Sequence, residues 1–517
     1  MTFSTNRRSV LLGASALGAT TLLGLSGQPL RAATPSQGGT LRLGIGSFDS
    51  GETLDPQVTE TKFMQNLQWQ IRNNLIEIGA GGVLVPELAT SWEANDDLTV
   101  WTFKLRSGVE FHNGKTMDAD DVVFSINLHR GEESISQSKS LVAVISDVQA
   151  TAPDEVTITL NGPNAGFPPI MALTNLTIVP ADDTNFDAGI GTGAYILETY
   201  EPGVKSIVRK NPNYWKADRA HFDSVQMLAI RDVNARTTAL QTGEIDAMNS
   251  VDPTTAGLLS AMPGIDLIQT QGKVHYAFSM IATDPLFADA RVRKAMKLSI
   301  NRQDMVDKVL NGYGSIANDQ PISEAYEYHN PDIAQHEYDP EQAKSLLKAA
   351  GAEGLTTTLH ASNTPFTGAV DAAQLFSEHA AAGIKIEVSR EPEDGYWSNI
   401  WGKKPFFASR WSGRANEDLM LSLAYSREAL GGYNATNWDN DAFNVALTAA
   451  RSERDDAKRR ALYGECQALL AEDGGIIAPV WADFLDAKSS KVSTGDAISG
   501  DWDLDGNRCA ERWWFTA

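Results

Sequence analysis

The 517-residue chain predicts an α/β fold divided into two or three lobes, and three observations lead there. The length exceeds what one hydrophobic core usually organises. Between Trp92 and Leu160, short runs of alternating apolar and polar residues are separated by polar turns, the pattern of strands with one solvated face. From Gln335 onward, amphipathic helices interleave with short strands, as in an α/β lobe. Taken in order, Gly39–Ile45 reads as an alternating strand, followed by an extended loop through Phe48 and Leu54-Asp55-Pro56. A helix is expected from about Thr61 to Leu75, then strands at Leu98–Leu105 and Glu155–Leu160. Later helices are expected at Pro340–Ala350, Ala369–Ala382 and Asp441–Leu470. No internal repeat or low-complexity linker interrupts the chain, so short crossing segments must join the lobes.

The N-terminus carries Asn6-Arg7-Arg8-Ser9-Val10-Leu11-Leu12 before a weakly apolar run that ends near Leu25. Twin arginines, an apolar stretch and small residues up to Ala32 and Ala33 predict a twin-arginine export signal over residues 1–33. The run is shorter than the roughly 20 residues that span a bilayer, and three glycines interrupt it. No lipobox cysteine is present, so the expected product is a free periplasmic protein. The formal net charge of -23 becomes more negative once Arg7, Arg8 and Arg31 are removed, which argues against nucleic acid or an anionic membrane as partner. Cys466 and Cys509 are the only cysteines. In an oxidising compartment they are expected to pair, closing a loop that stabilises by about 4 kcal/mol in the chain-entropy description; two buried thiols are the alternative.

Pro86 to Ser125, PELATSWEANDDLTVWTFKLRSGVEFHNGKTMDADDVVFS, reads as strand, turn, strand and helix. This block closely resembles the signature of the dipeptide/oligopeptide class (family 5) of ABC-transporter solute-binding proteins. The resemblance continues in Gly191-Thr-Gly-Ala-Tyr195, Arg209–Trp215, Ala239–Ala247, Arg291–Ala295 with Ile300-Asn-Arg302, and Tyr338–Leu347. It implies a two-lobed periplasmic binding protein fold with a hinge and an extra subdomain in the first lobe. The implied boundaries are residues 34–279 for lobe I with the insertion at about 75–190, 280–485 for lobe II, and 486–517 for the return to lobe I. The chain would cross near Ser279 and return near Asp486.

The same resemblance places the ligand-reading loop of the second lobe at Ser409-Arg-Trp-Ser-Gly-Arg-Ala-Asn-Glu-Asp418. Peptide binders of the family carry an aspartate for the peptide amine at or near the position of Arg414. A guanidinium instead suits a carboxylate and repels an ammonium group. The loop Leu359–Phe366 lacks the arginine that peptide binders use for the carboxyl end, and offers Ser362, Asn363 and Thr364 to a hydroxyl-rich or amide ligand. Trp411 is expected to wall the pocket. Asn416, Asn437 and Trp438, and Phe48 from the first lobe, complete the candidate ligand-binding set. Pairing of Arg414 with Glu417 or Asp418, and Trp438 packed inward, are the competing readings. Trp397 and Trp401, four residues apart, share a helical face and read as core.

No catalytic constellation is present. Gly189–Gly193 has the wrong spacing for a nucleotide loop, and Asp501-Trp-Asp-Leu-Asp-Gly506 has Arg512 where a calcium loop needs glutamate, so a surface turn is expected. The eight histidines are scattered without metal-ligand spacing. The expected protein is therefore not an enzyme and needs no cofactor. It captures a small hydrophilic solute, favoured as an anionic amino-acid derivative such as an opine-like sugar conjugate. It works as a monomer and hands the solute to the permease subunits of an ABC importer. Short-peptide binding is the first alternative and a metal-chelate or haem carrier the second.

Overall fold

The computed structural model describes residues 35–516 except 184, 381, 382 and 394. The expected export signal therefore lies outside the described residues. In chain order the strands are β1 Thr40–Ile45, β2 Ile76–Ile78, β3 Leu84–Pro86, β4 Ala89–Ala94, β5 Val100–Leu105, β6 Ile145–Ala152, β7 Glu155–Leu160, β8 Tyr195–Glu201, β9 Lys205–Lys210, β10 Ser224–Ala229, β11 Ala247–Met248, β12 Ile265–Met280, β13 Gly314–Ile316, β14 Leu355–Ala361, β15 Ile384–Arg390, β16 Phe406–Trp411, β17 Ile476–Ser489, β18 Val492–Ser493 and β19 Trp514–Phe515.

Two long antiparallel strands, β12 and β17, run through the whole molecule. Ile265–Thr270 pairs with Phe484–Ser489 in the first lobe, and Val274–Ser279 pairs with Ile476–Ala482 in the second, with a register break between Thr270 and Val274. On the first-lobe side the order continues β17-β11-β1-β10-β9-β8; on the other it runs β12-β16-β14-β15, with β13 on β17. β1 lies parallel to both neighbours, β10 and β11, and its Leu41, Leu43 and Ile45 are fully buried. A separate antiparallel sheet, β4-β5-β7-β6, forms the inserted subdomain and has its own core around Phe103, Val156, Ile158 and Phe167.

Local chemistry sets most element ends. The first helix spans Lys62–Ile71 rather than reaching Leu75, because Thr61 caps it and Arg72 leaves the helical conformation. Its end fits against the Gly-Thr-Gly turn: a Cβ on Gly193 would lie 2.3 Å from the Ile71 carbonyl carbon, and the Gly193 N–H donates to Ile71 O at 3.0 Å. That close approach is what the glycines permit. The helix expected over Asp441–Leu470 is two, Asp441–Ser452 and Asp456–Asp473, because Asp455 caps the second. Among the described residues, no helix is long and apolar enough to cross a membrane.

Two expectations are corrected here. Cys466 and Cys509 are free thiols, buried in different cores: Cys466 among Phe443, Tyr463 and Leu470, Cys509 among Leu504, Ala510 and Trp513. Burial pushes the Cys466 thiol up to about 12, so neither the geometry nor the acidity favours a bridge. The Asp501–Gly506 stretch is a buried turn, not a surface one. Leu504, Asp505, Gly506 and Asn507 all have positive φ, and the acids are paired inward: Asp501 with Lys273 at 2.5 Å, Asp505 with Arg512 at 2.8 Å, Asp503 with Lys62 at 3.9 Å.

Candidate functional site

The parallel strands β14 and β16 end at the same edge of the second-lobe sheet, where α/β proteins hold their ligands. β16 delivers Trp411 and then the loop Ser412–Asn416, which Asn416 turns into the helix Glu417–Tyr425 by accepting the Leu419 N–H at 3.0 Å. Trp411 meets two rings from elsewhere in the sequence. Trp401, Trp411 and Tyr433 stand with mutual centroid distances of 6.3, 6.3 and 6.2 Å, a spacing typical of edge and tilted aromatic pairs. Tyr433 is 51% exposed and Trp397, 6.4 Å from Trp401, is 48% exposed. Trp397 is therefore not a core residue, and half-buried Trp401 belongs to this cluster, with its indole N–H donating to Ser409 Oγ at 3.2 Å.

Arg414 lies over Trp411, its guanidinium carbon 5.4 Å from the ring centroid. Its Nη1 donates to the Ser412 and Gly413 carbonyls at 3.0 and 3.1 Å, and its backbone N–H to the Tyr326 hydroxyl at 2.9 Å. Glu417 instead accepts the Tyr328 N–H at 2.7 Å, and Asp418 pairs with Arg451 at 2.7 Å. Pairing of Arg414 within its own loop is thus overturned: among the described residues neither Arg414 nor Arg410 has an ion-pair partner. Burial pushes the Arg414 guanidinium below its ordinary value, opposed by the Tyr326 and Tyr433 phenols and reinforced by Arg410. Beneath it, fully buried His275 is driven down to about 3 by burial and by Arg414, so it stays neutral.

The first lobe contributes Lys62, Asp486 and Asp503. The Asp486 carboxylate accepts the Leu504 N–H at 2.5 Å and the Ser250 N–H at 3.4 Å. Burial, and then Asp503, push its pKa well above the usual carboxylate range, so its neutral form is favoured. Burial lowers the Lys62 ammonium; Asp503 and Asp486 oppose this, while Arg410 and Arg414 of the other lobe add to it. Lys62 therefore feels two acids of its own lobe and two arginines of the other.

The remaining expected residues are distributed unevenly. Ser362 is buried, its hydroxyl hydrogen-bonded to Thr364 Oγ1 at 3.2 Å, and Asn363 is exposed at the adjacent strand end. Asn416 reaches the inserted subdomain, donating to Gly166 O at 3.1 Å. Phe48 is half-buried under Arg231, 4.5 Å from the ring centroid. Trp438, expected at the pocket, is 2% exposed; its indole N–H donates to Asp473 at 2.8 Å and its ring meets Phe443 edge-on at 5.1 Å. Asn437 makes the turn before it, at φ 48°. Sequence reasoning missed Arg410, Tyr433 and Lys62. Arg410 adjoins Trp411, which was a usable signal; Tyr433 and Lys62 are brought in only by folding.

Glu77, Glu87 and Glu511 lie close enough together to suggest a metal site. They are instead met by Lys216, which lies within 2.7, 3.0 and 2.9 Å of the three, and by Arg508 and Arg512. The cluster ties the C-terminal segment to the β2–β3 hairpin.

Comparison with known proteins agrees with this architecture. The family described as "Bacterial extracellular solute-binding proteins, family 5 Middle" matches residues 83–429. Di/tripeptide-binding protein 1 of Pseudomonas aeruginosa is 27% identical over 437 residues, 77% of this chain and 81% of that protein. Glutathione-binding protein GsiB of Salmonella paratyphi A is 27% identical over 476 residues, 87% and 90% of the two chains. The structure of the PBP AgaA of A. tumefaciens R10 in complex with agropinic acid superposes with a TM-score of 0.78 at 23% identity, covering 93% of this chain and 99% of that one. The two-lobed periplasmic binding protein fold and the family match coincide: the chain belongs to the bacterial extracellular solute-binding proteins, family 5.

Proposed function

We propose that this chain is the periplasmic receptor of an ABC importer and captures an anionic, hydrophilic amino-acid derivative such as an opine-like sugar conjugate. The observation that carries the reading is the pair Arg410 and Arg414. Both lack an ion-pair partner among the described residues, beside the Trp401–Trp411–Tyr433 cluster and across from Lys62. Arg414 is half-buried, and a guanidinium held there without a carboxylate is costly; a ligand carboxylate in bidentate contact offsets that cost, and exposed Arg410 adds a second positive charge beside it. The aromatic rings supply faces for the ligand's carbon skeleton. Exposed Asn363 offers an amide at the same sheet edge, while the Asn416 amide is taken up by Leu419 N–H and Gly166 O. The named ligands of its relatives, short peptides and glutathione, and the agropinic acid held by a structural neighbour are compatible chemistry.

With Val274–Ser279 and Ile476–Ala482 paired in the second-lobe sheet, the lobes divide at the register break between Thr270 and Val274, a few residues before the crossing expected near Ser279, and close there by bending β12 and β17. A ligand touching both walls shifts the hinge equilibrium toward the closed form, which the permease subunits then read. Asp486 and Asp503 favour a second reading, a short peptide whose ammonium end meets these acids while its carboxylate meets the arginines.

A thermal-shift screen of the mature protein against opines, sugar acids and di- to tetrapeptides tests this, with Arg414→Ala in parallel. At 100-fold excess over the dissociation constant a true ligand adds about 2.7 kcal/mol. An anionic conjugate is expected to stabilise the wild type and not the variant. Equal stabilisation of both by peptides would assign Arg414 a structural role.

A further inference from the structure

A second cavity of about 630 Å³ lies on the far side of the same loop, between the inserted subdomain and the second lobe. Its character is opposite to that of the arginine site. Glu324, Glu327 and Glu417 line it, and none of the three has an ion-pair partner among the described residues. The cations at its wall are already engaged: Lys273 with Asp501 at 2.5 Å, Arg459 with Asp456 at 3.2 Å. Glu417 is 3% exposed and accepts the Tyr328 N–H; Lys273, whose charge reaches it, is held by Asp501, so this buried carboxylate has no direct ion pair among the described residues. The walls are also aromatic. Trp92 and Trp101 come from the subdomain, and Tyr328 and Tyr463 stack at 5.6 Å in the second lobe. Trp101 is 7% exposed, and its indole N–H has no hydrogen-bond partner, which is uncommon for a buried donor.

We propose that this cavity is a second ligand site, for a small organic cation that places an ammonium or amidinium group beside Glu417 and its apolar body among the tryptophan and tyrosine rings. Carboxylates and aromatic faces both stabilise a desolvated cation, and an acceptor on the ligand satisfies Trp101. The ligand contacts of this site are distinct from those assigned to the arginine cleft. Because its two walls belong to the subdomain and the second lobe, an occupant bridges them, and Gly413–Asn416 lies between the two sites. Occupancy here is therefore coupled to closure, and the coupling is reciprocal.

The test is calorimetric titration of the full mature chain with tyramine, agmatine and putrescine, of which tyramine carries a hydroxyl oxygen able to accept the Trp101 N–H. Wild type, Glu417→Gln, Glu327→Gln, Trp101→Phe and Arg414→Ala are compared, with unfolding temperatures as the folding control; Trp101→Phe is expected to weaken tyramine and to leave putrescine unchanged. At least one amine is expected to bind one-to-one, with affinity reduced about tenfold or more by Glu417→Gln, as for loss of a charged hydrogen bond, and less by exposed Glu327→Gln. Arg414→Ala is expected to leave the amine's affinity unchanged. No binding of any amine at millimolar concentration overturns the proposal. So does binding that both glutamate variants retain, and so does binding that Arg414→Ala abolishes, which would make the cavity an extension of the arginine cleft. A screen that finds no anionic solute leaves this outcome untouched, so the two readings fail separately.

Discussion

At the scale of single residues, polar groups held inside the protein show where the chain has used its charges. Lys297 is fully buried and its Nζ donates to the Leu470 and Ala471 carbonyls at 3.2 and 2.7 Å, closing the end of the helix Asp456–Asp473. Burial pushes its ammonium down to about 7, with Asp319 opposing and Arg293 and Lys294 reinforcing. Below pH 7 both folded and unfolded chains hold the proton and the whole cost of the buried charge is present. Between pH 7 and the ordinary lysine range the unfolded chain binds more protons, so stability rises with pH. Chemical denaturation of wild type and Lys297→Met is expected to show the wild type gaining on the variant across that window, with a slope of up to one proton, and a constant difference below it. The two aromatic residues of the Gly431–Trp438 loop separate binding from packing. Tyr433→Ala is expected to weaken solute binding without lowering the unfolding temperature. Trp438→Ala is expected to cost about 3–5 kcal/mol of stability, as for an aromatic removed from a core, measured by denaturant titration.

At the scale of elements, much was legible from periodicity and much was not. Strands β1, β5 and β7 and the helix Pro340–Ala350 fall where alternation and amphipathic periodicity put them, because those signals are local. The division at Asp455 was also written locally, as a capping aspartate, but the apolar stripe continuing across it concealed the break. The Gly-Thr-Gly turn was legible as a turn, while its reason lies in the helix end 120 or so residues earlier in the chain. Gly193→Ala places a methyl against Ile71 backbone and is expected to destabilise by about 1–3 kcal/mol, the usual cost of overpacking, in equilibrium unfolding. The cysteines illustrate the opposite failure. Pairing was inferred from compartment and count, yet each thiol is held in a different core. A reducing agent is accordingly expected to leave the unfolding temperature unchanged, and both thiols to react with a thiol reagent only on unfolding.

At the scale of the whole molecule, closure of the lobes is the working motion of the proposed function, and the inserted subdomain already contacts the second lobe. Ala415 and Leu419 of the second lobe pack into the subdomain's core beside Trp101 and Phe167. The Ala165 N–H donates to Arg451 O at 2.7 Å, and Asn416 donates to Gly166. Small-angle scattering is expected to show a smaller radius of gyration on addition of solute. In Leu419→Asp, where closing would bury a charge, the contraction is expected to be lost; an unchanged contraction would show that this contact does not support the closed form. By itself, the sequence determined the family, the order and type of the elements, the two-lobed plan and Trp411 with Arg414 as neighbours in one loop, because each is written in local pattern or ordered blocks. Only the tertiary structure decided that Arg414 meets no carboxylate among the described residues, that Trp401 and Tyr433 join Trp411 while Trp438 does not, and that the thiols stay apart. Those outcomes depend on which distant segments share a surface, and side-chain pairing across such segments is set by packing and desolvation, which no local pattern encodes.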